Sequence, residues 1–240
     1  NSPITGACTR QDAAQILANV LDMTAVRYSE IVEDFVNDSE DGLALGGESI
    51  SVGRKWMDLW TNVGTLISID GSDLDIHMSS SDRTDSDSDD KNFVKVGTDY
   101  SSLLGQKVKV LFKDKKTNQV LGVAPLGGNE IITVNANQVE KDGDKIKVDG
   151  KSYTMEWYNA GTNTTVKDDI AVYRTTVDGA AVATNWDSND FDKRNLKQDA
   201  SKMTFVDSDG NGRLDAVIVD EINVAKTSYV GSSSVIVGNE

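Results

Sequence analysis

Asp207-Ser208-Asp209-Gly210-Asn211-Gly212-Arg213-Leu214-Asp215 places side-chain oxygens at positions 1, 3, 5 and 9 of a short run, with a glycine at position 6. A hard cation such as Ca²⁺ takes roughly six to eight oxygen ligands, and this spacing can curl several of them around one point. Gly212 permits the sharp turn that such curling needs. Arg213, at position 7, offers its backbone carbonyl, and water completes the shell. The candidate ligands are therefore Asp207, Asp209, Asn211, Arg213 and Asp215. The same residue types also build ordinary Asx-rich turns.

The flanks decide what kind of loop this is. Met203-Thr204-Phe205-Val206 precedes it and Ala216-Val217-Ile218-Val219 follows it, and both read as short strands. Position 12 is Ile218, where a helix–loop–helix calcium hand wants a glutamate. The sequence thus predicts a structural calcium loop that clamps a β-hairpin.

The elements that must position this loop are mostly β. The one persuasive helix lies near the start, where Thr9 and Asp12 can form a capping box ahead of Ala13, Ile16, Leu17, Val20 and Leu21 at helical spacing. Ile31, Val32, Phe35 and Val36 are expected to form a second short helix. From Ser49 the pattern changes to strands, with Trp56–Trp60 leading into the first of them. Val108, Val110 and Phe112 share one face of a strand, and Tyr153, Met155 and Trp157 continue with period two. Asp142-Gly143 and Asp149-Gly150 mark hairpin turns around Lys145–Val148. Asn185–Ala200 is polar, with room for one helical turn, and Ile222–Tyr229 with Val235–Val237 should finish the sheet. The expected fold is mainly β with a small N-terminal helical segment, its short antiparallel strands forming sandwich- or barrel-like domains. Residues 1–47 are expected to form the helical segment, 48–126 a first β-rich domain, and 127–240 a second one carrying the calcium loop, with these two as a single unit the alternative.

Composition restricts the partners. The 240 residues carry 24 Lys and Arg against 39 Asp and Glu, a net charge of −15. Such a surface repels nucleic-acid phosphates and anionic membranes. No apolar run is long enough to span a bilayer. Cys8 is the single cysteine, so no intrachain disulfide can form, and nothing around Cys8 or the single histidine, His77, marks an activated nucleophile. Neither a signal-peptide pattern nor an initiator methionine stands at Asn1, and both ends read as cuts from something longer. Ser79–Asp90 is an acidic, serine-rich stretch that reads as a solvated loop, with a second cation or a neighbouring subunit as what orders it.

Residues Pro3-Ile4-Thr5-Gly6-Ala7-Cys8-Thr9-Arg10-Gln11-Asp12-Ala13-Ala14-Gln15-Ile16-Leu17 carry a T-R-x-x-A-A element ahead of an apolar helix, and this resembles the tail of an S-layer homology domain. Leu104–Phe112, Lys147–Tyr153 and the strand–loop–strand around Asp207 resemble the β-rich regions downstream of such domains in bacterial cell-surface proteins. The resemblance implies an exported protein at the cell surface or cell wall, part of a layered or fibrous coat. The opening part of the homology domain is absent, so no wall-binding residue is carried over, although Thr9-Arg10 is the first place to look.

Three functions follow from these features. The first is a structural, self-associating, calcium-stabilised surface-layer or filament protein, with strands at the chain ends pairing with copies of itself and cell-wall polysaccharide as a second partner. The second is a carbohydrate-binding module. Each of Trp56, Trp60, Trp157 and Trp186 is expected in the core, and Trp186 is the best exposed candidate for stacking on a sugar. The third is a carboxylate-based glycoside hydrolase. Its only warrant is the abundance of acids, so the sequence favours a non-enzymatic protein.

Overall fold

A computed structural model describes residues 9–39, 49–78, 89–159, 162, 164–174, 181–182, 184–193, 196, 201–220, 226–230, 232 and 235–238. Cys8 and most of the acidic stretch, 79–88, lie outside the described residues.

Helix α1 spans Arg10–Asp22. The Thr9 hydroxyl accepts from the Asp12 N–H and the Asp12 carboxylate accepts from the Thr9 N–H, so the capping box forms as its sequence predicts. The expected second helix does not form. Strands β1 (Val26–Ser29) and β2 (Asp34–Asn37) make a hairpin instead, with Tyr28 directly opposite Phe35. Ile31 and Val32 fall in its turn, and Glu33 has φ 52°, a left-handed backbone no helix tolerates. Helix α2 (Val52–Met57) then takes up residues expected to lead into a strand. It leaves Trp56 63% exposed, against the expectation of burial.

Five antiparallel strands form the main path of the six-stranded first sheet: β3 (Leu59–Asp70), β4 (Asp73–His77), β5 (Asp90–Phe93), β6 (Lys107–Lys113) and β7 (Val120–Pro125), in the order β5-β4-β3-β6-β7. Val108, Val110 and Phe112 all point into its core, while Lys107 and Lys109 take the other face. Strand β8 (Glu130–Asn135) leads out of this sheet. Strands β9 (Val139–Asp142), β10 (Lys145–Val148), β11 (Lys151–Asn159) and β12 (Thr164–Lys167) follow as a meander. The β10–β11 turn places Asp149 at φ 47° and Gly150 at φ 82°, the doubly left-handed geometry that the D-G pair predicts.

A third sheet lies between the other two. It contains β13 (Asp169–Tyr173), β15 (Thr184–Asp187), β16 (Lys202–Asp207) and β18 (Ala216–Asp220) together with β8, in the order β15-β13-β18-β16-β8. Between β13 and β15, the short β14 (Ala181–Val182) returns to pair with β3. After β15 comes the single helical turn expected there, α3 (Ser188–Lys193). Strand β17 (Arg213–Leu214) leaves the third sheet and pairs in parallel with β11. Strands β19 (Lys226–Val230) and β20 (Val235–Gly238) form a two-stranded sheet of their own rather than completing a larger one.

Alternation along β13 explains the layering. Ala171 and Tyr173 face the first core, with Leu66, Phe93 and Phe112. Ile170 and Val172 face the second, with Met155, Phe191 and Phe205. A strand buried on both faces reads as a continuous apolar run, as Ile170-Ala171-Val172-Tyr173 does. The protein is therefore mainly β with a small N-terminal helical segment. Its sheets are largely antiparallel and stacked, with parallel ladders at β13–β18 and β11–β17, and none closes into a barrel. Among the described residues no helix is long and apolar enough to cross a membrane.

Candidate metal centre

The run from Asp207 to Asp215 joins β16 to β18 where the third sheet meets β11. Phe205 and Val206 bury the end of β16, and Asp207 follows them inward at 2% exposed. Its carboxylate shapes the loop. Oδ1 accepts from the backbone N–H of Gly210 at 2.7 Å and of Asn211 at 3.2 Å, and Oδ2 accepts from Gly212 at 2.7 Å. Gly210 and Gly212 sit at φ 72° and 81°, so the chain turns left-handed twice to aim these donors inward.

Asp215 closes the loop from the other side. One of its oxygens accepts from both the N–H and the hydroxyl of Ser208, each at 2.7 Å. Asp209 accepts from the backbone and side-chain N–H groups of Asn211. One carboxylate oxygen each from Asp207, Asp209 and Asp215 lies within 4.8 Å of the others. Three carboxylates this close repel one another and share an attraction for a divalent cation. Burial, more than any other effect, pushes the Asp215 carboxyl up to about 6; the Ser208 hydrogen bonds pull the other way, and the charges of Asp209 and Asp207 add to the rise. This donor set of hard oxygens fits Ca²⁺ or Mg²⁺ and would not distinguish them by chemistry alone.

Of the five residues expected from the sequence, the three aspartates come together. Asn211 lies in the same loop with its Oδ1 accepting from the Arg213 N–H and its Nδ2 donating to Asp209 and Glu156. The Arg213 side chain turns away to Glu156, with Nη1 to Oε2 at 2.9 Å, and its backbone joins the β17–β11 ladder. Glu156 is the residue that sequence reasoning misses. It sits on β11, 55 residues from Asn211, and holds two loop side chains at once. No local pattern around Glu156 announces this, because the parallel β11–β17 pairing is what creates it.

The loop borders a cleft of about 160 Å³. Asp209, Asp215 and Glu156 line one part, with Tyr158, Tyr173 and His77 among the rest. The His77 ring stacks on Tyr158 with centroids 3.7 Å apart, and its Nδ1 lies 2.8 Å from Asp90. Trp186 is not here. It is 6% exposed and packs edge-on against Phe191 in the second core, so the residue singled out for sugar stacking is a core residue. Trp60 and Trp157 are half-buried beside the first core.

The raised Asp215 carboxyl gives a signed prediction. In metal-free protein the folded state holds this proton up to about pH 6, whereas an unfolded aspartate loses it near pH 4. The folded state therefore binds more protons in that window, and stability falls as pH rises from about 4 to about 6. The expected loss is on the order of 2 kcal/mol. Comparing denaturation of wild type and Asp215→Asn across pH isolates it, because the amide carries no titration; parallel pH profiles would remove the effect.

No protein-family model, no curated protein and no solved structure matches this chain.

Proposed function

We propose that the chain is a structural, self-associating module of an extracellular surface layer or filament, not an enzyme, and that Ca²⁺ stabilises it. The observation that carries this reading is the convergence of Asp207, Asp209 and Asp215 at a strand junction. A cation there neutralises carboxylates that are otherwise held together at a cost, and it fixes the β16–β18 hairpin beside β11. The loop's ties to Glu156 extend that fixing to the neighbouring sheet. The likeness of residues 3–17 to the tail of an S-layer homology domain supports a cell-surface or cell-wall location, with wall polysaccharide as a further partner.

Self-association draws support from the N-terminal unit. Leu17, Met23, Ile31, Phe35, Trp56 and Met57 are all more than half exposed there. Exposed apolar side chains mark interaction surfaces where they lie together.

Thermal melting and light scattering, in calcium and in chelator, test the proposal together. An ion that binds only the folded state at about ten times its dissociation constant adds about 1.4 kcal/mol. We expect a higher melting temperature and larger particles with calcium. A melt and a particle size indifferent to calcium, magnesium and chelator would remove the reading.

A further inference from the structure

We propose that the cleft beside the aspartate loop is a sugar-binding site, in which the loop cation and Tyr173 together recognise vicinal hydroxyls of a neutral pyranose. This rests on the cation reading above and names the ligand class that the same site would take.

The first observation is where the carboxylates face. Asp209 and Asp215 line the cleft, and Asp207 stands behind them at the end of β16. A cation among the three presents one side to the cleft instead of being sealed within the loop. Its remaining coordination positions are then open to water or to an incoming oxygen ligand.

The second observation is independent of the loop. Tyr173 is 3% exposed and lines the same cleft, yet its hydroxyl has no hydrogen-bond partner among the described residues. The hydroxyl is not among the fully enclosed polar atoms without a partner, so it opens on the cleft. Tyr173 lines the cleft together with Asp209 and Asp215, so this donor and the cation face the same space. A ligand that satisfies both must offer adjacent oxygens, one to coordinate and one to accept or donate a hydrogen bond.

Other lining residues supply the rest. Tyr158 is held in place by stacking on His77, and Thr65 and Thr165 stand nearby with hydroxyl groups. An aromatic ring meets the C–H face of a sugar while hydroxyls meet its edge. Glu156, Asp209 and Asp215 repel carboxylate or phosphate ligands, which leaves neutral sugars. A volume of about 160 Å³ suits a single ring.

Terbium(III) in place of calcium makes the experiment direct, because Trp157 also lines the cleft and can sensitise the ion's emission. The full chain is loaded with terbium and titrated with methyl mannoside and methyl galactoside. We expect emission on tryptophan excitation, and a longer emission lifetime as one of these sugars displaces bound water. Tyr173→Phe should keep the terbium signal and weaken sugar binding about tenfold, the loss of one hydrogen bond in a buried site. Tyr158→Ala should keep the signal and lose the sugar.

Terbium emission that neither sugar alters overturns this inference and leaves the cation reading intact. Absence of any terbium signal defeats the cation reading and this one with it. Sugar binding undiminished in chelator also overturns it, since the ion then plays no part. So does displacement of terbium by methylamine at concentrations where the sugars do nothing, because the cleft would then be a receptor for ammonium groups.

Discussion

Asp207→Ala is expected to destabilise the protein by about 3–5 kcal/mol and to abolish its response to calcium. The carboxylate is 2% exposed and accepts three backbone N–H bonds from the loop it opens. Hydrogen bonds to a charged acceptor contribute about 1.5–3 kcal/mol each, and bonds that share one acceptor do not add fully. Removing the side chain also leaves a void at the end of β16 and three donors without their partner. Asp209→Ala is the control. Its carboxylate is exposed and, among the described residues, bonds only to Asn211, so in metal-free protein the loss should stay below about 1 kcal/mol, while calcium affinity falls as strongly as in the Asp207 variant. Urea denaturation with and without calcium, with calorimetric titration of each variant, separates the two roles. A stable Asp207→Ala protein would mean that the loop does not depend on its first carboxylate for shape.

What the sequence revealed was local. The loop was legible because its carboxylates and both glycines fall within nine consecutive residues, Asp207 to Asp215. The Thr9–Asp12 cap and the Asp149-Gly150 turn were legible for the same reason. What the sequence hid was created by pairing over long separations. Glu156 reaches Asn211 and Arg213 only because β17 lies parallel to β11, and Tyr173 reaches the loop only because β13 lies parallel to β18. Trp186 lies in the core, where all four tryptophans were expected, but it stood out as the best exposed candidate for a related reason. Its neighbours Asn185 and Asp187 are polar, which suggests an exposed segment, but on a strand they face away from it. Register opposite Ile170 then places the indole in the second core. Ile31, Val32, Phe35 and Val36 mimic a helical face, yet the pairing of Tyr28 with Phe35 and the left-handed Glu33 make a hairpin of the same residues.

Gly105→Ala is the second large effect, because this glycine sets how closely the first sheet's loop approaches the third sheet. Gly105 has φ 75°, and a Cβ built on it would overlap the Cβ of Ala216. Its N–H donates to the Leu66 carbonyl at 2.9 Å, so the backbone is pinned to β3 and cannot simply withdraw. Two costs follow from one methyl group. The left-handed backbone costs an alanine about 1 kcal/mol, and overpacking against β18 adds about 1–3 kcal/mol. We expect a total near 3 kcal/mol, together with weaker calcium binding, because Ala216 directly follows Asp215 and any shift of β18 moves that carboxylate. Ala216→Gly removes the overlapping methyl from the other side. Alone it should cost about 0.5–1 kcal/mol, the usual penalty for a glycine within a strand. Combined with Gly105→Ala it should restore most of the packing loss and leave the backbone cost, so the double-mutant cycle should show a favourable coupling of about 1–2 kcal/mol. Denaturation of the four proteins measures it. A coupling near zero would place the strain of Gly105→Ala in its own dihedral, and the tight contact between the two layers would then not be what holds the aspartate loop in register.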